Sequence, residues 1–304
     1  MNATKEVIKI VAIYLFVFFF IILFVLFPRD ASIEVSGQAM VVEYSYDFNL
    51  EEYKNNVVSF FKEVYENKSL GGTKFRTRSV EDELQKFLPR SLKVIAIGFF
   101  ISVIFGILKG IFDYRSKNTK KSILGNGTTW FFSGLPDFFI VICLVYFLLL
   151  FIPEINIMGT ESWYKFIAPS ILISIAPLFY VARVTSVSLQ TQDREPHIQV
   201  AYSKGFTPGK VLINHMLKPC LITVSSHLQS LMVFLLSNLL VVEYLIGYEG
   251  AAYRLFSAIG YSNKIPFFPI REQGLIIGIC ISFLFLVMIA HIFSQLIKAK
   301  LDPK

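Results

Sequence analysis

The chain has 304 residues, of which 54% are hydrophobic, 17% are charged and 31 are phenylalanine. Soluble domains are about 45–50% apolar and about 25% charged, so this composition excludes an ordinary soluble protein and predicts membrane spans. The mean hydropathy of +0.59 agrees. In a membrane protein, a net charge of +7 is first explained by Lys and Arg concentrated in the connections on one side of the membrane. It gives no reason to expect a nucleic acid partner.

Six segments reach the roughly 20 mostly apolar residues that a helix needs to cross a bilayer. The sequence predicts an all-α polytopic membrane protein with spans at residues 10–27, 92–112, 130–152, 167–185, 221–246 and 275–297. The first span ends at Pro28, is too long for the apolar part of a secretory signal and has no small-residue cleavage site after it, so we interpret it as an uncleaved anchor. The fourth contains Pro169 and Pro177, which a span tolerates only where neighbouring groups satisfy the freed backbone.

The connection between the first two spans, residues 28–91, is long enough to be structured. Apolar residues recur in it at intervals of three and four, which predicts an amphipathic helix. These residues are Leu50, Tyr53, Val57, Phe60, Phe61 and Val64. A turn at Gly71 and Gly72 follows, and Ser79 with Asp82 has the spacing of a capping box that opens a second helix. We favour packing of this segment on the ends of the spans over a separate ligand-contacting domain.

The connection between the fourth and fifth spans has the pattern of a helical hairpin. Glu195 stands before a proline, a residue suited to the first turn of a helix. Gly205 can adopt the left-handed conformation that ends a helix. Pro208 then opens a second helix, which we expect to end before Pro219. The pattern predicts two short helices joined at a glycine as a compact, rigid projection.

The segments Glu195–Gly205 and Lys210–Lys218 resemble the coupling loop of ABC-transporter permeases. More narrowly, they resemble the first of the two membrane subunits of oligopeptide, dipeptide and nickel importers. In that family an acidic residue precedes Ala-x-x-Lys-Gly and then Val-Leu-x-x-His-x-Leu with a basic residue. The matching residues are Glu195, Ala201, Lys204, Gly205, Val211, Leu212, His215, Leu217 and Lys218. Gln199 stands where an older form of the motif has Glu, so no carboxylate role is assigned to position 199.

The resemblance extends, in order, over nearly the whole chain. The further matching residues are Leu88, Pro89, Pro136, Phe138, Pro169, Arg183, Glu243, Gly247, Gly250, Leu255, Ala258, Leu301, Asp302, Pro303 and Lys304. Asp137 departs from the pattern, because the family usually has a small polar residue there.

The resemblance implies the type I ABC importer permease fold, with six transmembrane helices and a cytoplasmic coupling-helix hairpin. Residues 1–27 would then be the N-terminal segment and first span, 28–91 an extracytoplasmic loop, and 92–304 a five-helix core with its coupling loop at 186–220. The residues implied to couple to the ATPase are Glu195, Gln199, Ala201, Lys204 and Gly205.

The same resemblance implies a transport subunit rather than an enzyme, with no cofactor of its own. ATP and magnesium would bind two separate ATP-binding subunits, and a second homologous permease and an extracytoplasmic substrate-binding protein would complete the importer. Gly205 to Lys210 looks superficially like a phosphate-binding loop. It has only three residues between the glycines and Val211 in place of the hydroxyl residue after Lys, so we reject that interpretation.

The predicted substrate is a short peptide, since peptide importers form the larger subgroup of the family. Import of nickel or another metal chelate by the same machinery is the alternative. A secondary transporter is less favoured, because inverted repeats and ten or more spans are not evident. A channel would need a ring of polar groups at one depth, which four scattered His residues do not supply.

Two ionisable residues within the spans are candidates for a translocation path or gate, since such groups are costly in a bilayer. Asp137 lies inside the third span, where a pathway role and structural pairing with a neighbouring helix both remain open. Glu243 lies near the outer end of the fifth span, where a structural role at the outer gate is favoured. Three cysteines, Cys143, Cys220 and Cys280, have neither CxxC spacing nor neighbouring His residues, so neither disulfides nor a metal site is predicted.

The charges of the connections predict the orientation. With the N-terminus inside, the inner connections carry a clear excess of Lys and Arg and the outer ones do not, in agreement with the retention of basic residues on the cytoplasmic side. The charges therefore predict both termini in the cytoplasm, and the family resemblance implies a multi-pass protein of the bacterial cytoplasmic membrane, surrounded by membrane lipid.

Overall fold

The structure is a computed structural model that describes residues 3–28, 32–36, 41–45, 48–74, 78–154, 156–259 and 272–301. The helices are α1 (Ala3–Val25), α2 (Leu50–Asn67), α3 (Val80–Ser116), α4 (Thr128–Gly134), α5 (Asp137–Phe151), α6 (Ile167–Gln192), α7 (Pro196–Ser203), α8 (Pro208–Val211), α9 (Leu217–Ser226), α10 (Leu228–Leu245), α11 (Ala251–Ala258) and α12 (Gln273–Leu301). A 3₁₀ turn (Lys120–Ser122) and a π-helical turn (Ile123–Gly127) precede α4, and a second π-helical turn (Leu212–Met216) joins α8 to α9.

The all-α fold class holds with one addition in the segment between the first two spans. There β1 (Ser32–Ser36) pairs antiparallel with β2 (Val41–Ser45), with Ser32 opposite Ser45. The sequence analysis did not predict this β-hairpin.

In the part of the chain that the structure describes, five helices are long and apolar enough to cross a membrane: α1, α3, α6, α10 and α12. Lys120–Gly134 and α5 form a bent pair of helical segments. If this pair counts as one span, the total is six. The count of six is confirmed on that basis, but the expectation of one continuous helix over 130–152 is wrong. The two parts meet at 105°, because Leu135 is extended (φ −92°, ψ 145°) before Pro136, as the proline ring favours for the residue preceding it.

The fifth span and the hairpin before it also differ from expectation. The predicted helix over 221–246 is interrupted at His227 (φ −100°, ψ 3°), between α9 and α10. The second helix of the hairpin does not end before Pro219, because a π-helical turn leads from α8 directly into α9. Pro219 lies in the first turn of α9, where its missing N–H removes few helical hydrogen bonds.

One compact unit of the chain comprises Met1–Ile13, Phe87–Arg254 and Phe283–Lys304. Within it α6 is central and packs on α4, α5, α9 and α10. Helix α3 comes close to α6 through three glycines. A Cβ at Gly98 or Gly106 would overlap the side chain of Ile173 or Val181, and one at Gly110 would overlap the backbone and side chain of α6 around Thr185. Small residues permit this close packing where no hydrophobic effect drives helices together.

The other unit comprises Tyr14–Lys86 and Leu255–Ser282. The predicted amphipathic helix is confirmed as α2, whose N-cap Asn49 accepts from the N–H of Glu51 at 2.9 Å. The predicted capping box is confirmed too: Ser79 N–H donates to the Asp82 carboxylate at 3.1 Å, and Asp82 N–H donates to Ser79 Oγ at 3.2 Å. The helix that opens there continues as α3 to Ser116, so the expected short helix and the second span are one element.

Candidate functional site

The first half of the hairpin between α6 and α9 has the predicted local geometry. Glu195 is extended (φ −71°, ψ 140°) and precedes the proline at the first position of α7. Gly205 is left-handed (φ +78°). Its N–H donates to Tyr202 O at 2.9 Å, and the N–H of Phe206 donates to Ala201 O at 3.3 Å. This pair of bonds is the Schellman motif that closes a helix at glycine, so the prediction that α7 ends at Gly205 is confirmed.

The two faces of the hairpin differ in exposure. Four of the five residues implied to couple to the ATPase are exposed and form what we call the docking face: Glu195, Gln199, Lys204 and Gly205. The fifth, Ala201, is buried beside Ile198. Val211 and Met216 of the second half are buried as well. Ala201 therefore contributes by packing on the inner side of the hairpin, and its small size permits that packing.

Polar contacts fix α7 to the end of α6. Gln199 Nε2 donates to Asp193 O at 3.0 Å, and Tyr202 Oη donates to Asp193 Oδ1 at 3.3 Å. Burial and the adjacent Asp193 carboxylate raise the pKa of Tyr202, so its hydroxyl stays protonated and keeps donating. Farther along, Cys220 Sγ of α9 contacts Thr185 O of α6 at 3.7 Å. These contacts join the hairpin to α6 at both of its ends.

Glu243 of α10 is fully buried and caps α11. Its Oε2 accepts from the N–H groups of Ala252 and Tyr253 at 2.9 and 3.0 Å, and its Oε1 accepts from Ser91 Oγ at 2.5 Å. Ser91 Oγ accepts in turn from the Ala251 N–H at 2.7 Å. A Cβ at Gly250 would overlap the carboxyl group, so only glycine fits there. These contacts satisfy the first N–H groups of α11, which otherwise have no partner. They are the contacts of a structural cap.

Asp137 is the first residue of α5, directly after the bend. Its Oδ1 accepts from the Phe138 N–H at 2.9 Å. It lines a cavity of about 310 Å³ together with Tyr180 and Arg183 of α6. Among the described residues Asp137 forms no ion pair, so the structural pairing that the sequence left open has no partner there. Glu243 and Asp137 belong to separate sets of contacts.

The sequence analysis missed an ion pair near the end of α3, between the part-buried Lys109 and the fully buried Asp113. Lys109 Nζ donates to Asp113 Oδ1, to Gly125 O at 3.0 Å and to Thr129 Oγ1 at 3.0 Å, which uses all three of its donors. Thr129 Oγ1 donates to the other Asp113 oxygen at 2.5 Å. The network fastens the start of the bent pair to α3. The spacing of Lys109 and Asp113, four residues apart in a helix, was a signal that could have revealed it.

Comparison with known proteins identifies the family. The sequence profile of the family described as "binding-protein-dependent transport system inner membrane component" matches residues 102–303, about two thirds of the chain. The chain belongs to this family of ABC importer permeases. The permease is accordingly a multi-pass protein of the inner membrane, and its family implies separate ATPase subunits and a substrate-binding protein.

Curated relatives and a solved structure agree with this assignment. The permease is 26% identical over 214 residues to the oligopeptide transport system permease protein OppB of Escherichia coli, covering 69% of each chain. It is 21% identical over 229 residues to the dipeptide transport system permease protein DppB of Bacillus subtilis, covering 74% of this chain and 70% of the relative. An inward-facing structure of the MetNI methionine ABC transporter shares the fold with a TM-score of 0.56 at 14% identity, over 72% of this chain and 96% of that one.

Proposed function

We propose that this permease moves short peptides across the cytoplasmic membrane as the first of two membrane subunits of an ABC importer. The observation that carries the proposal is the hairpin: its inner side is packed, its docking face is exposed, and polar contacts fix it to α6. Family membership supplies the importer, and the names of the relatives, oligopeptide and dipeptide permeases, supply the substrate class.

The docking face would insert into a groove on an ATP-binding subunit. Two such subunits would bind and hydrolyse ATP with magnesium, and this chain would contribute no catalytic group. Closure of the ATPases would push α7, and the Asp193 contacts would carry the push into α6. The second permease would complete the passage, and the binding protein would deliver peptide on the opposite side.

The excess of Lys and Arg in the inner connections supports an orientation with the hairpin and both termini in the cytoplasm. In this arrangement residues 28–91 are extracytoplasmic, and residues 92–304 form the five-helix core with its coupling loop at 186–220. The cap made by Glu243 then lies near the outer ends of α10 and α11 and holds the outer gate in shape, in accord with its contacts.

Reconstitution tests the substrate. The complete importer is placed in proteoliposomes, and ATP-dependent uptake of labelled di- to pentapeptides is compared with uptake of labelled nickel chelates. We expect peptide uptake that needs the binding protein. Chelate uptake without peptide uptake would overturn the peptide assignment and favour the alternative that the sequence left open.

A photo-crosslinking experiment tests the docking face. A benzophenone amino acid is introduced at exposed Gln199, and the matched control carries it at Val233, which is exposed on α10 well away from the hairpin. We expect crosslinks to the ATP-binding subunit from position 199 and none from position 233. Equal crosslinking at both positions, or none at 199, would contradict the docking role.

A further inference from the structure

Two cavities with mixed polar and apolar linings lie on either side of Arg183. The first, about 310 Å³, is the one that Asp137 and Tyr180 line. The second, about 320 Å³, extends toward the hairpin end of α6, where Ser186 and Gln190 line it. Ser133 and Arg183 line both cavities. We call the two cavities and the wall they share the polar groove.

The polar groove follows one face of α6. The α6 residues on it are Ala176, Tyr180, Arg183, Ser186, Val187 and Gln190. Positions 176, 180, 183, 187 and 190 are separated by four, three, four and three residues, which is the spacing of a single helix face. The opposite wall comes from α4 and the bend after it, at Ser133 and Asp137. The groove therefore runs along about four turns of α6, beside a broken helix.

Two of its polar groups, Ser133 Oγ and the exposed Arg183, have no partner among the described residues. Tyr180 Oη is bonded to His227 Nδ1 at 2.7 Å, and Gln190 is bonded to Lys117 and Ser186. Ser133 Oγ is buried with no hydrogen-bond partner among the described residues. Arg183 forms no ion pair in the described part of the chain. A guanidinium presents five donors in a fork that suits a carboxylate. Unpaired charges within membrane-spanning segments face cavities and mark the paths of polar substrates, and such paths adjoin broken helices.

We propose that the polar groove is the hairpin-side half of the substrate path in this subunit, and that Arg183 receives the carboxylate of the passing substrate. Asp137, which lines the same first cavity, receives its ammonium group. The groove thus selects zwitterionic substrates that carry a free carboxylate. The identity of the substrate rests on the proposed peptide function, whereas the location of the path does not.

Cysteine labelling tests the path without any peptide. Ala176→Cys and Val187→Cys are made in the complete importer, and each is treated in nanodiscs with an anionic and a cationic methanethiosulfonate. The wild-type chain, with its own Cys143, Cys220 and Cys280, gives the background. We expect both new cysteines to react well above that background. Absence of labelling at both would overturn the proposal, whether or not the importer carries peptides.

A second substitution tests the charge. Adding Arg183→Gln to Ala176→Cys should lower the ratio of anionic to cationic labelling rates about tenfold, because the substitution leaves Asp137 as the charged residue lining that cavity and clefts lined by charge of one sign change the local concentration of small ions by about this factor or more. Arg183→Lys should keep the ratio within about twofold, since the positive charge remains. An unchanged ratio in Arg183→Gln would show that Arg183 does not face the path.

Protection by substrate tests the carboxylate. A tripeptide with a free carboxyl terminus should slow labelling of Ala176→Cys during turnover, and the same peptide with a C-terminal amide should not. The carboxylate role is wrong if the free-acid tripeptide slows labelling of Ala176→Cys as much in the Arg183→Gln variant as it does when Arg183 is present. If peptides protect no variant while the charge effect persists, the path stands and the peptide assignment fails.

Discussion

Removing the carboxyl group of Glu243 should destabilise the protein strongly. Glu243→Ala leaves three donors without their acceptor: the buried Ser91 Oγ and Ala252 N–H, and the part-buried Tyr253 N–H. Each buried donor left unsatisfied costs about 1–3 kcal/mol. Water entering the space can restore some of these bonds, so we expect about 3 kcal/mol, the lower end of the sum. At about 2–4 °C per kcal/mol for a chain of this order of size, the midpoint of thermal unfolding should fall by roughly 6–12 °C.

The assay is thermal unfolding of the purified protein in detergent. Glu243→Gln should lose less, about 1 kcal/mol, because its amide keeps an oxygen for the two backbone donors and an N–H for Ser91 Oγ. Glu249→Ala is the matched control. Its carboxylate lies nearby and bonds Arg90 at 3.2 Å, but it is 51% exposed, and such pairs contribute under about 1 kcal/mol. Equal loss in Glu243→Ala and Glu249→Ala would refute the cap.

Three further predictions concern other parts of the permease. Gly205→Val should abolish uptake while membrane insertion persists, because φ is +78° at this position and side-chain-bearing residues rarely adopt that conformation. Gly209→Val is the matched control. A Cβ at Gly209 would meet open space just as one at Gly205 would, but φ is not positive there, so most uptake should be retained. Gly125→Ala should lower the thermal unfolding midpoint by a few degrees, about 1–3 kcal/mol, since a Cβ there would overlap Ser116 Oγ. The folded protein holds the Tyr202 proton more tightly than the unfolded chain does, so stability should fall as pH rises through about 10. Tyr202→Phe should make that fall less steep in a pH series of thermal melts.

The hairpin shows how much a sequence can settle when the signals are local. The proline at the start of α7 and the left-handed Gly205 at its end act on adjacent residues, so their effect needs no knowledge of distant contacts. The amphipathic α2 and the capping box of α3 belong to the same class. Each was predicted to within a few residues, because propensity, capping and periodicity agree at these positions.

The prolines within the spans show where local signals stop. Pro177 lies inside α6 without breaking it, whereas Pro136 ends one helix and turns the chain by 105°. The helix continues past Pro177, and in the preceding turn Ser102 Oγ of α3 donates to the carbonyl of Ser174 at 3.2 Å. A proline stands at both positions, so the residue type alone does not distinguish a continued helix from a bent one.

The contacts of Glu243 also could not be predicted. An ionisable residue within a span marks a position of interest, but Ser91 lies on another helix about 150 residues earlier in the chain. Arg183 was recognised only as a family match at the end of a span. Its place between two cavities follows from the bend at Pro136, which brings Asp137 and Ser133 to the same face of α6.

Helix α6 links the two proposed roles. Asp193, which anchors α7, follows the last residue of α6, and Arg183 lies ten residues before it, about 15 Å along the helix axis. The helix is continuous between them. If both proposals hold, a push on the docking face would act on the same helix that carries Arg183. Coupling and passage would then need no separate relay, because one helix carries both the anchor of the hairpin and one wall of the polar groove.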